Sequence, residues 1–133
     1  MGVEAYLNGV APVLAGRVCQ AFVCQQFFAN DELCDPANVT YLQFDGTWFR
    51  LYFETGVIFW RSDVKPPQPW EVPEKRWRYP HVDLGKAADV IGCKLVRYDM
   101  WPTNYSARVS FEFDNGKRIF IEHHNDRGRW VVA

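Results

Sequence analysis

The densest group of chemically competent side chains in this sequence is Glu122-His123-His124-Asn125-Asp126, which mixes acid–base and metal-ligand types. Neighbouring residues of a strand point to opposite faces, so His123 and His124 cannot easily close on one ion, and a site there has to recruit His81 or a distant carboxylate. The run otherwise reads as the polar end of a β-hairpin. No GxSxG elbow, HExxH pair or glycine-rich phosphate loop occurs. The expectation is a protein that is not an enzyme, with no catalytic residues, no metal ligands and no cofactor. The alternative kept open is a small-ligand or metal-binding, enzyme-like domain around His81, His123 and His124. Cys19, Cys24, Cys34 and Cys93 match neither a zinc spacing nor a CxxC redox pair and read as free thiols. Cys19 and Cys93 fall in strand-like segments, where a reduced cysteine behaves as a small buried hydrophobe.

Residue types suited to gripping another protein are more plentiful. From Thr47 to Glu54 the alternation sends Phe49, Leu51 and Phe53 to one face and Trp48, Arg50, Tyr52 and Glu54 to the other. Large amphipathic aromatics beside an arginine dominate binding hot spots, because they bury much area with few torsions. Either that outer face meets a partner, or a helix or the following proline-rich segment covers it and Trp48 is core. Trp70 to Tyr79 interleaves aromatics with basic groups, a pattern that stacks on single-stranded bases or grips an acidic surface. The plainer account has Trp77 and Tyr79 pinning the segment to a sheet edge. Asn30-Asp31-Glu32-Leu33-Cys34-Asp35 reads as an acidic loop whose three carboxylates either pair with a basic cleft or stay solvated. The candidate partner-binding set is thus Asp31, Glu32, Asp35, Trp48, Arg50, Tyr52, Trp70 and Trp77.

The elements that must carry these residues repeat. Residues 9–16 lie over residues 85–92 at an offset of 76, with two glycines and an alanine coinciding, and Trp60 lies over Trp130 at an offset of 70. Leu42-Gln43-Phe44-Asp45-Gly46 lies over Phe111-Glu112-Phe113-Asp114-Asn115-Gly116. Each copy reads as a short helical turn ended by Gly16 or Gly92, then a β-meander whose tight hairpin is marked by Asp45-Gly46 or Asn115-Gly116. The first copy spans 3–61 and carries seven extra residues between Cys24 and Val39. The second spans 81–133, and a proline-rich linker, 62–80, runs between them. Neither half is large enough to bury a core alone, so the expectation is one α+β domain over 1–133. It has about eight mostly antiparallel strands and one or two short helices. Because the acidic insertion and the aromatic outer strand belong to the first copy, function is expected there and the second copy reads as scaffold.

Whole-chain properties narrow the classes further. With 48% hydrophobic and 23% charged residues the chain is ordinary for a globular protein, whereas 17% aromatic is more than one small core readily encloses. Fifteen basic and sixteen acidic residues leave a net charge of −1, so no global field draws the protein to nucleic acid or an anionic membrane. The start, Met1 to Tyr6, lacks the basic and apolar regions of a secretory signal, and Tyr6 stands where a myristoylation motif needs Ser or Thr. A cytoplasmic protein without membrane or nucleic-acid partners is expected, as a monomer or weak homodimer.

The stretch from Gly92 through Val109-Ser110-Phe111-Glu112-Phe113-Asp114-Asn115-Gly116-Lys117-Arg118-Ile119-Phe120-Ile121-Glu122 resembles a hairpin pattern of small β-rich bacterial proteins. Several of those resemble immunity proteins of contact-dependent inhibition and related polymorphic toxin systems. The resemblance covers the final third and, through the repeat, a second third. It implies a small cytoplasmic protein that binds a cognate toxin domain and occludes its active site, and it carries no shared binding residues onto this chain. A structural subunit of an oligomer is the remaining alternative.

Overall fold

The computed structural model describes residues 3–103 and 105–133. Met1 and Gly2, with which the terminal segment read above begins, and Asn104 lie outside them. After a 3-10 turn at Val3–Tyr6 come strands β1 (Leu7–Asn8), β2 (Cys19–Ala29), β3 (Glu32–Phe44), β4 (Thr47–Glu54) and β5 (Val57–Ser62). The middle of the chain adds β6 (Trp70–Val72), β7 (Trp77–Tyr79) and β8 (His81–Asp83), followed by one helical turn, α1 (Leu84–Ala87). The last quarter is a second meander, β9 (Leu95–Pro102), β10 (Ser106–Phe113), β11 (Arg118–His124) and β12 (Arg127–Val132). The protein is therefore mostly β, with antiparallel-rich sheets and, among the described residues, one short α-helix.

The strands form two sheets. The larger has the order β1-β5-β4-β3-β2-β7-β6, with β8 also on β2, and the smaller has the order β12-β11-β10-β9. Among the described residues only β1, on β5, pairs in parallel. Two-residue turns with left-handed backbone join the long strands, as at Asp45-Gly46 (φ 50° and 79°) and Asn125-Asp126 (φ 52° and 57°). Turns of this hand match the twist of the strands they connect.

Period-two alternation decides what lies between the sheets. Leu42, Leu51, Ile58 and Trp60 of the larger sheet, and Val109, Phe111, Ile119 and Ile121 of the smaller, belong to one buried cluster. Phe22 meets Phe111 edge-on with ring centroids 5.0 Å apart, and Trp60 meets Tyr98 at 5.7 Å, geometries favoured by the ring quadrupole. The Trp60 indole N–H, which needs a partner when buried, donates to Met100 Sδ at 3.4 Å.

Two corners tie the sheets together. At one, Val18 and Lys94 form an antiparallel bridge flanked by Gly16 N–H to Leu95 O (2.8 Å) and Gly92 N–H to Cys19 O (2.8 Å). Shifting the first of these bonds by 76 residues, donor forward and acceptor back, produces the second. Leu95 N–H to Arg17 O (2.9 Å) and Cys19 N–H to Cys93 O (2.8 Å) are related in the same way. At the other corner β12 lies against β3. There Asp35 Oδ1 accepts from Ala37 N–H (3.1 Å) and from Gly128 N–H (2.9 Å), linking the sheets through one carboxylate.

Four expectations are corrected. Residues 10–14 before Gly16 are not helical: Pro12 removes an N–H and disfavours helical backbone at Ala11, while the Tyr98 hydroxyl donates to Pro12 O. The corresponding segment of the second meander does form α1, capped by Asp83 Oδ1 on Lys86 N–H at 3.0 Å. The seven-residue insertion is not a loop, because it lengthens β2 and β3 around a tight Asn30-Asp31 turn (φ 52° and 64°). The segment 62–80 is only partly a linker, since its second half folds as a β6–β7 hairpin on β2. Cys93 lies in the turn before β9, half-buried, rather than in a strand. Cys19 and Cys24 are buried, which pushes both thiols up to about 12 and leaves them protonated.

Candidate functional site

The expected binding residues fall in three places. Trp48, Arg50 and Tyr52 stand together, half-buried, on the outer face of β4. Tyr52 stacks on Phe59 of β5 at 4.7 Å, with the Arg50 guanidinium 5.3 Å from the Tyr52 ring and that of Arg61 5.8 Å from Phe59. Trp70 and Trp77 lie on the far edge of the same sheet. Trp77 packs edge-on against Phe27 at 6.1 Å, and Trp70, 50% exposed, stacks on Tyr79 at 3.9 Å. The aromatics of this segment pin it to the sheet edge.

The three carboxylates separate, contrary to their expected grouping at one tip. Asp31 sits in the β2–β3 turn 3.3 Å from Arg76 and 3.8 Å from Arg78. Glu32 is exposed one residue on, while half-buried Asp35 faces β12. An extended strand turns successive side chains apart, so the sequence proximity of the three does not survive folding.

The histidines also engage separate partners. His81, in β8, lies 6.3 Å from the Tyr41 ring. His124 is on the outside of β11 with Nδ1 2.5 Å from Ser106 Oγ. His123 points inward, 7% exposed, and stacks on Phe53 at 5.6 Å. Among the described residues no group of three His, Cys, Asp or Glu side chains is placed to hold a metal ion.

A feature not anticipated from the sequence is a groove of about 700 Å³ at the β10–β12 end of the smaller sheet. The register Trp101↔Arg108↔Glu122↔Arg129 lays one row of outward side chains across four strands, and Ser106↔His124↔Arg127 lays the next. Glu122 faces arginines on both sides but bonds Arg129, at 3.2 and 3.4 Å. Arg108 instead stacks on Trp101 (4.6 Å) and Phe120 (5.5 Å). No family model, curated protein or solved structure matches this chain. No helix among the described residues is long and apolar enough to cross a membrane.

The alternation on β9–β12, with Arg97, Asp99 and Trp101 or Arg108, Ser110 and Glu112 on one face, was the available signal for this surface. In the sequence this alternation reads as ordinary solvated scaffold, because only the cross-strand register shows which charges are matched.

The inner corner beside the groove makes stability depend on pH. Burial holds the His123 imidazole below its ordinary value, opposed by the charges of Asp35 and Asp126, with His124 adding to the depression. An unfolded histidine takes up its proton near pH about 6.5 and the folded one only at lower pH, so the unfolded state binds more protons in that window. Stability is therefore expected to fall as pH drops through it. Asp35 acts with the opposite sign: burial raises its carboxyl, opposed by the Gly128 and Ala37 N–H groups and by His123 and Arg127. Its ionised form costs stability at neutral pH, and that cost is relieved as pH falls from its folded-state value towards the unfolded one. His123→Phe keeps the stack on Phe53 and should flatten the decline in Tm between about pH 7 and about pH 5. An unchanged slope would place the acid sensitivity elsewhere.

Proposed function

We propose that this chain is an immunity protein that binds a cognate bacterial toxin domain and occludes its active site, acting in the cytoplasm as a monomer or weak homodimer without a cofactor or chemistry of its own. The observation that carries this reading is the outer face of β4 and β5. Trp48, Arg50 and Tyr52 stand there beside Phe59 and Arg61 as a guanidinium–aromatic layer on paired strands. Side chains already stacked on one another lose little freedom when a partner covers them, and a rigid sheet presents them in fixed register. The hydrogen bonds related by the 76-residue offset support descent of both meanders from one duplicated unit. An alignment of relatives in which the two halves are more alike is the test of that origin.

Co-expression with the toxin encoded beside this gene tests the function. Rescue of growth by this protein is the expected result, and failure to protect against any neighbouring toxin sinks the proposal. Replacing Trp48, Arg50 and Tyr52 together with Ala should abolish rescue, since hot-spot truncations cost about 2 kcal/mol or more each. Full rescue by a folded triple variant would move the interface elsewhere.

A further inference from the structure

We infer that the groove on the outer face of β9–β12 is a binding site for a nucleotide-type ligand, a phosphate joined to a flat aromatic ring, with Arg108 and Arg127 taking the phosphate and Trp101 the ring. This site is independent of toxin binding, which is placed on the other sheet.

The first argument is charge. Three arginines, Arg108, Arg127 and Arg129, line the groove with one carboxylate, Glu122, and that carboxylate is held by Arg129. Among the described residues neither Arg108 nor Arg127 has a carboxylate within 4.0 Å, and of the two Arg127 is the one whose charge reaches Asp35 and lowers its carboxyl. The charge left unmatched in the groove is therefore that of Arg108, and an unmatched guanidinium in a groove favours an oxyanion.

The second argument is preorganisation. The Arg108 guanidinium is held by the rings of Trp101 at 4.6 Å and Phe120 at 5.5 Å, although Glu122 stands directly opposite it across the strands. Ring contacts engage the faces of a guanidinium and leave the N–H donors around its rim, in the fork that matches two oxygens of a phosphate. The hydroxyl of Ser106 and the His124 ring lie in the next register row, between Arg108 and Arg127, and add polar groups along the same line.

The third argument selects the ligand class. Trp101 remains 45% exposed where it lines the groove even with the Arg108 guanidinium over its ring, so a base has indole surface left to stack on, whereas an acidic peptide would satisfy the arginines and leave that surface unused. A groove of about 700 Å³ is also of small-ligand size and much larger than one carboxylate needs.

Calorimetric titration of the whole protein with AMP, adenosine, inorganic phosphate, short oligothymidylate and polyglutamate tests the assignment. AMP should bind more tightly than phosphate or adenosine alone. A free nucleotide is the source if AMP exceeds oligothymidylate, and a single-strand end is the source if oligothymidylate wins, and either supports the site. Arg108→Ala should weaken AMP roughly 10- to 100-fold, the usual loss for a hydrogen bond to a charged group. Arg108→Lys keeps the charge and the stem, so a comparable loss in that variant isolates the fork even if the alanine variant folds poorly. Trp101→Ala should weaken AMP but not phosphate. No binding of AMP or oligothymidylate at millimolar concentration would overturn the proposal. Binding untouched by both the Arg108 and Trp101 substitutions, or binding of polyglutamate in preference to the nucleotides, would do the same.

Discussion

Trp60→Ala should remove about 3–5 kcal/mol of folding stability, seen as a large fall in the urea midpoint. The side chain is 1% exposed and stands between the sheets, edge-on to Tyr98 and bonded through its indole N–H to Met100. Truncation removes the most voluminous fully buried side chain and leaves a cavity that two hydrogen-bonded sheets cannot close over, because each strand is held by its neighbours. A domain of this size has only about 5–15 kcal/mol in total, so the variant should be near the edge of folding. Trp130, which lies over Trp60 in the sequence at an offset of 70, is only half-buried on β12, and its replacement should cost clearly less. Equal losses at the two positions would show that the sheets do not share the load as their burial indicates.

The difference between the two tryptophans illustrates how far the sequence could be read. Alternation in Thr47–Glu54 and Arg118–His124 reveals inward and outward faces because each residue's direction in a strand follows from its parity alone. The hairpins at Asp45-Gly46 and Asn115-Gly116 are legible because Asp45, Gly46 and Gly116 take the left-handed backbone that few residues accept. What parity cannot supply is the relation between strands. Asn30-Asp31 had to be a two-residue turn for β2 and β3 to run through the acidic stretch, and nothing local excluded a longer loop. Pro12 stands in the segment read as a helical turn, and it disfavours the helical backbone that the match to residues 85–92 implies. The groove shows the same limit: Arg108 is one of several outward arginines in the sequence, and it is unmatched only because Glu122 closes on Arg129.

Gly128→Ala should cost about 3 kcal/mol, because the corner between β12 and β3 has no room for a side chain. A Cβ built on Gly128 lies 2.1 Å from Ala37 O and 2.9 Å from Ala37 C, both main-chain atoms with no rotamer to change. Relief requires β12 to withdraw from β3, and that withdrawal breaks the 2.9 Å bond from Gly128 N–H to Asp35. The two losses are then one event, so Asp35→Ala in the Gly128→Ala background should add less than it costs alone. Alone, Asp35→Ala strips the acceptor from two N–H groups and should cost about 1–3 kcal/mol, whereas Asp35→Asn retains an acceptor oxygen and should cost less. Ala37→Gly provides the sharper check. The Ala37 methyl is the more distant neighbour, at 3.1 Å, so removing it leaves the clash with the carbonyl in place and should not rescue Gly128→Ala. Urea unfolding of the single and double variants decides the matter, and a rescued double variant would mean that side chains, rather than the close approach of two backbones, set the spacing at this corner.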